Sequence, residues 1–250
     1  MFRRLLPVVL AATALVLAVA PVAASARPRL VPPRPDPVLL VHGFQGSASG
    51  WHAMTAYLRA HGYRSSEIDA LDYDSDASNV DTARHIAREV AALRDRTGAS
   101  RVDVVSHSMG AISSRYYLER MGGASDVDAW VSLAGVNEGT VWAYGCYPLT
   151  PCREMVPTSS VLHRLNQAFD PTATTRYGAW WSPCDEAIVP RANAELTGAH
   201  NVETACLEHS ELTTDPVVLR RSPASSRDRW SAAGDNASGP DQHHPRAGLG

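Results

Sequence analysis

The stretch Val102-Asp103-Val104-Val105-Ser106-His107-Ser108-Met109-Gly110 constrains this chain more than any other. A β-branched run stops at a small residue, a serine and a glycine. A helical spacing of Ile112, Tyr116, Tyr117 and Leu118 follows. Strand, sharp turn and helix in that order fit a nucleophile elbow, G-x-S-x-G, with Ser106 standing where the first glycine usually lies. The spacing has a steric origin. A serine on a strained turn needs small residues two before and two after it, where strand and helix nearly touch, and Ser106 and Gly110 supply them. Such a turn lifts the Ser108 hydroxyl above the sheet edge and puts the Met109 amide at the helix N-terminus.

The surrounding pattern alternates strands with helices. Pro37 to Phe44 is an unbroken apolar run, as in a strand buried on both faces, and ends in the turn His42-Gly43, where backbone amides can converge. Trp51 to Ala60 has helical spacing. A strand is predicted over Ile68 to Tyr73, and an amphipathic helix over Thr82 to Arg96 with Ile86, Val90, Ala91 and Leu93 inward. Further strands are predicted at Ala129 to Ala134, Tyr177 to Trp181 and Asn201 to Cys206, with helices at Ser159 to Gln167 and Asp215 to Arg220. This alternation predicts a parallel α/β sheet in one domain, residues 37–221, and at 250 residues with 44% hydrophobic content the chain can bury a full core. Residues 135–175 depart from strict alternation.

The N-terminus reads as a secretory signal peptide over residues 1–26. Arg3 and Arg4 begin it, Leu5 to Val19 is apolar, and Ala24-Ser25-Ala26 resembles a cleavage site. Pro21 and the shortness of the run argue against a membrane anchor, so no integral span is expected once the signal is removed. Residues 27–36 form a Pro-rich lead-in, and residues 222–250, poor in apolar side chains, read as a disordered tail. A net charge of −3 gives no reason to expect a nucleic-acid partner.

Export changes how Cys146, Cys152, Cys184 and Cys206 read. In an oxidising compartment four cysteines suggest two disulfides, with three possible pairings. Cys146–Cys152 would close a small loop around Pro148 and Pro151, and Cys184–Cys206 would tie two distant segments. With no C-x-x-C pair a zinc site is not expected, nor any other metal.

For a serine nucleophile on a parallel sheet, the acid and histidine follow in chain order, each beyond the C-terminal end of a strand. His200 precedes the last predicted strand, His209 follows it, and His243 and His244 lie in the tail, so His209 is the expected base. Asp185 follows the Tyr177 to Trp181 strand directly. It also reads as a turn residue capping Ile188. Glu186 is the fallback acid and Glu138 a third. A Cys184–Cys206 bridge would hold the acid loop against the histidine loop, as a catalytic hydrogen bond requires. His107 is expected to pack or hydrogen-bond locally, because adjacent elbow residues diverge. His42 is expected to be structural. His52, His61, His85 and His163 read as surface or helix-face residues.

Val38 to Gly46, Val102 to Gly110, Ser182 to Asp185 and Gly198 to His209 together resemble the secreted bacterial lipases of the class 2 group. The likeness covers residues 37–220 in four ordered blocks. It implies an α/β-hydrolase fold, a mostly parallel central sheet with helices on both faces. It implies Ser108 as nucleophile, Asp185 and His209 as its partners, and the amides of Phe44 and Met109 as an oxyanion hole. It implies a monomeric carboxylic ester hydrolase with no cofactor, an ester lipid as substrate at a lipid–water interface, and water as acyl acceptor. Ser106 stands where the group usually has Ala or Gly, and residues 135–175 are longer than in the group's minimal member. The same site would suit a polyester or cutin hydrolase or an acyltransferase. A non-catalytic binding protein on this fold would have no use for a full Ser, Asp and His set.

Overall fold

The computed structural model describes residues 35–170 and 174–221. The expected signal peptide, nearly all of the lead-in, and the tail with His243 and His244 lie outside the described residues. Six strands form one sheet: β1 (Val38–Val41), β2 (Ile68–Leu71), β3 (Val102–His107), β4 (Val127–Leu133), β5 (Arg176–Trp181) and β6 (His200–Glu203). Their order is β2-β1-β3-β4-β5-β6, and every neighbouring pair is parallel.

The period-two alternation of strand side chains divides the core into two layers. Leu39 and Val41 of β1 and Val104 of β3 face one side. There they pack with Ile86, Val90 and Leu93 of α2 (Asn79–Thr97) and Leu118 of α3 (Gly110–Arg120). Val38, Leu40 and Val105 face the other side, against Met54 and Leu58 of α1 (His52–Ala60) and Val218 and Leu219 of α6 (Pro216–Arg221). β3 and β4 are buried along almost their whole length, and the few polar residues among their apolar ones, Asp103, Ser106, Asp128 and Ser132, are buried with them. A register shift at Val102/Asp103 lets Asp128 stand out of the ladder.

Several boundaries differ from expectation, two of them for visible reasons. β2 stops at Leu71. Tyr73 has left the sheet, stacking on the His42 ring at 4.0 Å and donating its hydroxyl to the His42 carbonyl at 2.5 Å. β6 runs from His200 to Glu203, and Thr204 makes a further backbone bond to Trp181 before the chain turns and Cys206 meets Cys184. Residues 135–175 are helical where structured: a 3-10 turn at Val141–Cys146, α4 (Thr150–Met155) and α5 (Ser160–Ala168).

β1 and β3 end side by side, and their turns almost touch. A Cβ on Gly110 would sit 2.5 Å from the His42 carbonyl oxygen and 2.7 Å from that of Val41. Both contacts are with backbone, which cannot swing aside. Gly110→Ala is therefore expected to destabilise the fold by about 3 kcal/mol, as overpacking does when nothing can yield. Denaturant unfolding of the purified variant measures it, and a loss below about 0.5 kcal/mol would mean that the two turns can part.

Candidate active site

Ser108 follows the last residue of β3 and has φ +55°, the left-handed region that non-glycine residues rarely adopt. Backbone bonds on both sides hold it there. Its N–H donates to the Leu133 carbonyl at 3.1 Å, and its carbonyl accepts from Ala111 and Val136. Ser106, two residues earlier, is fully buried and donates its hydroxyl to the Val131 carbonyl at 3.1 Å. A serine is thus accommodated where the motif usually has glycine, because its one polar group is satisfied within the sheet. Met109 caps α3, with its side chain buried beneath Ile112 and Val136.

The turn after β1 crosses directly over the serine. A Cβ on Gly43 would lie 2.7 Å from the Ser108 Cβ, so the Gly43–Phe44 backbone is as near to Ser108 as packing allows. A cleft of about 290 Å³ opens there, walled by Phe44, Trp51, Ser108, His209 and Thr213 among others.

Asp185 is 1% exposed. Both carboxylate oxygens meet Nδ1 of His209, at 2.9 and 3.0 Å, and Oδ1 also accepts the amides of Ala187 and Ile188. Asp185 therefore caps the turn at Ile188 and meets the His209 ring with the same carboxylate. Burial opposes its ionisation, but the His209 hydrogen bond and charge and the two amides outweigh that and hold the carboxyl below its ordinary value. With the folded carboxyl below its unfolded value, this pair stabilises the protein above the unfolded carboxylate pKa. That contribution is lost as pH falls through the folded one.

The peptide of His209 is gripped from two further directions. Glu186 accepts its N–H at 3.0 Å, and His107 Nε2 lies 3.0 Å from its carbonyl. A carbonyl can only accept, so His107 carries its proton on Nε2. Burial first, and then the neighbouring His209, push the His107 pKa down to about 3, so it stays neutral. The expected local role for His107 is thus corrected: its partner lies on a different loop, and the two rings stand 4.6 Å apart. His42 turns Nδ1 to the Gly43 carbonyl at 2.8 Å, and burial lowers its pKa as well. Glu138 accepts from Asn166 at 2.6 Å, and His200 opens β6 at the strand's far end from His209. Sequence reasoning had Glu186 only as a spare acid. Its adjacency to Asp185 was the signal, but nothing in the pattern distinguishes holding a peptide from holding a ring.

Two disulfides are formed, Cys146–Cys152 at 2.00 Å and Cys184–Cys206 at 1.94 Å. The second joins the loop carrying Asp185 to the loop carrying His209. Ser182 braces the same pair of loops, donating to the Leu207 carbonyl at 2.6 Å and accepting the Leu207 amide at 2.9 Å.

At the other end of the sheet, Asp36, Asp103 and Asp128 bring carboxylate oxygens within 4.8 Å of one another. Arg101 and Arg176 occupy the two oxygens of Asp128 at 3.0 and 2.6 Å, and the Ala129 amide binds Asp103 Oδ1. These bonds pair the charge of Asp128 and brace β4 against the segments entering β3 and β5.

A parallel sheet with the first strand's turn crossing a strained serine and a buried Asp–His pair beyond the later strands is the layout of an α/β hydrolase. The solved mature lipase BlEst2 of Bacillus licheniformis superposes with a TM-score of 0.65 at 18% identity, over 73% of this chain and 88% of that one. Residues 35–219 match the class 2 lipases, and the chain belongs to that family. A triacylglycerol lipase of Pseudomonas fragi is 28% identical over 208 residues, 79% of this chain and 61% of the relative. Epoxide hydrolase 3 of Siraitia grosvenorii is 37% identical over 84 residues, 32% of this chain and 27% of that protein. The chain thus spans between about a quarter and three-fifths of the length of these curated relatives.

Two predictions come from the grip on His209. Glu186→Gln keeps a carbonyl acceptor for the His209 N–H and is expected to retain turnover within about threefold, whereas Glu186→Ala is expected to lower kcat by about tenfold with little change in KM. Ester hydrolysis by both variants checks this. Reduction of Cys184–Cys206 releases a loop of about 20 residues, which corresponds to about 3 kcal/mol in the chain-entropy model. Turnover is expected to fall at temperatures where circular dichroism still reports a folded chain, because the acid and histidine loops lose their tether.

Proposed function

We propose that this chain is a secreted triacylglycerol lipase or esterase that cleaves lipid carboxylic esters through an acyl-enzyme on Ser108. The observation that carries the reading is the pairing of buried Asp185 with His209 Nδ1, with His209 and Ser108 walling one cleft. Asp185 fixes the tautomer, leaving His209 Nε2 unprotonated as the base. It takes the Ser108 proton as the hydroxyl oxygen attacks the ester carbonyl. The tetrahedral oxyanion is received by the amides of Phe44 and Met109. The crossing of the Gly43–Phe44 backbone over Ser108 and the place of Met109 at the start of α3 support that assignment. His209 then gives its proton to the departing alcohol. Water, activated by the same nitrogen, attacks the acyl-serine and releases the acid and the free enzyme. This chemistry calls for no metal or organic cofactor. Two disulfides and the signal-like leader support export.

Ser108→Ala and His209→Ala are each expected to lower kcat by about 10⁴-fold or more against p-nitrophenyl butyrate, with the fold retained. A serine-directed phosphonate is expected to label Ser108 alone; labelling at Ser106 would overturn the assignment. Asp185 is held below the carboxylate range and His107 is pushed down to about 3. Neither changes charge between about pH 5 and 8, so activity lost across that interval comes from a group other than these two.

A further inference from the structure

Most large hydrophobic side chains of the described residues are inside, and those that are not are clustered. Six of the eight that are exposed are Val141, Trp142, Tyr144, Tyr147, Leu149 and Val189, at 38–50% exposure. The first five belong to one run. Between Glu138 and Arg153 the sequence holds no charged residue at all, and Val189 joins the run through the bond from the Val141 amide to its carbonyl at 2.9 Å.

This surface is held in shape from beneath. Ala143, Cys152 and Met155 are buried under it, and Cys146–Cys152 closes the run on itself. Arg153 folds back to bond the Pro148 carbonyl at 2.6 Å and the Thr150 hydroxyl at 2.9 Å. The Tyr144 and Tyr147 rings stack at 6.0 Å. A flexible apolar loop could fold inward to escape water. A disulfide-closed one with its arginine turned back cannot, and it keeps its apolar side outward.

The surface also adjoins the cleft. Trp142 stands edge-on to Phe44, a cleft wall, at 6.4 Å between ring centres. The Thr140 hydroxyl donates to the Ala187 carbonyl at 2.7 Å and accepts the amides of Trp142 and Val189. It thereby ties the run to the loop that leaves Asp185.

We propose that the run 139–152, with Val189, is a docking surface for an uncharged lipid phase, set beside the mouth of the cleft. Three observations favour lipid over a second copy of this chain or another protein. Half-exposed, these six side chains offer on the order of 500 Å², short of the roughly 800 Å² per partner that a stable protein interface needs. They include a tryptophan and two tyrosines, whose apolar bodies and polar tips suit the boundary between water and hydrocarbon. The absence of charge across the run removes the electrostatic part of protein recognition and costs nothing against a neutral lipid. The inference rests on the ester-lipase reading for what the docked chain would cleave, but docking itself is measured without turnover.

The test uses the full chain carrying Ser108→Ala, so that lipid is not consumed, sedimented with dioleoylphosphatidylcholine vesicles. Binding is expected, unchanged by adding anionic phosphatidylglycerol. Tyr147→Ser with Leu149→Ser is expected to weaken the partition by about tenfold. Trp142→Phe is expected to remove most of the lipid-induced blue shift of the tryptophan fluorescence, a readout that does not depend on the double variant folding. In the active chain the double variant should keep p-nitrophenyl acetate turnover within about twofold and lose emulsified triglyceride hydrolysis with the partition. Several outcomes overturn the proposal: undiminished vesicle binding by the double variant, binding only to anionic vesicles, or a dimer in sedimentation velocity that the double variant abolishes. A chain that docks on vesicles but cleaves no ester refutes the proposed reaction and leaves the surface standing. Cleavage of soluble esters without docking refutes the surface alone.

Discussion

The turns that follow β1 and β3 come so close that no side chain fits between them, and the rest of the molecule is arranged around that contact. Gly110 passes under the Val41 and His42 carbonyls, and Gly43 passes over Ser108. Such an approach holds only if both strands are fixed in register, which the parallel pairing of β1 with β3 provides. It also demands a backbone at Ser108 that costs of order 1–3 kcal/mol to hold. The two-layer core supplies the stability to offset this, because nearly every side chain of β3 and β4 is buried.

The elements that repeat simple patterns were the ones legible in the chain. Buried strands announce themselves as β-branched runs, and α2 shows its inward stripe at Ile86, Val90 and Leu93. The elbow was readable because its sterics restrict residue type at fixed spacing. The pattern also singled out Asp185 and His209, which are hydrogen-bonded in the structure, since each follows the C-terminal end of a strand. What lay beyond reading were contacts between loops. Nothing local in Ser-His-Ser tells that His107 reaches the carbonyl of His209, 102 residues away. Tyr73 looked like the end of a strand because its apolar character is the same whether it packs in a sheet or stacks on His42.

Residues 135–175 illustrate a different limit. Only the helix expected at Ser159 to Gln167, which is α5, was legible there; the 3-10 turn and α4 before it were not, and together they form a third apolar cluster around Met155, Leu162 and Leu165. Behind it, fully buried Arg115 pairs with Glu119 at 2.8 Å and lies 5.5 Å over the Phe169 ring. Arg115 also donates to the Asn166 side-chain oxygen at 3.1 Å and to the Asn137 carbonyl at 3.3 Å, so the segment is fastened to α3 by hydrogen bonds of a buried cation as well as by packing. The outer side of the same segment stays apolar and exposed, an arrangement that a merely structural insertion has no reason to keep.

Cys184, Asp185 and Glu186 are consecutive, and each acts on the loop carrying His209 at a different place: at Cys206, at the imidazole, and at the peptide N–H. Three attachments from three adjacent residues leave their shared backbone no freedom to slide. The segment around 182–188 and the segment around 204–211 therefore behave as a single cassette, whose internal spacing cannot tolerate the gain or loss of a residue. Transplanted together onto another sheet of this kind they would carry their geometry with them, whereas either one alone would arrive without it.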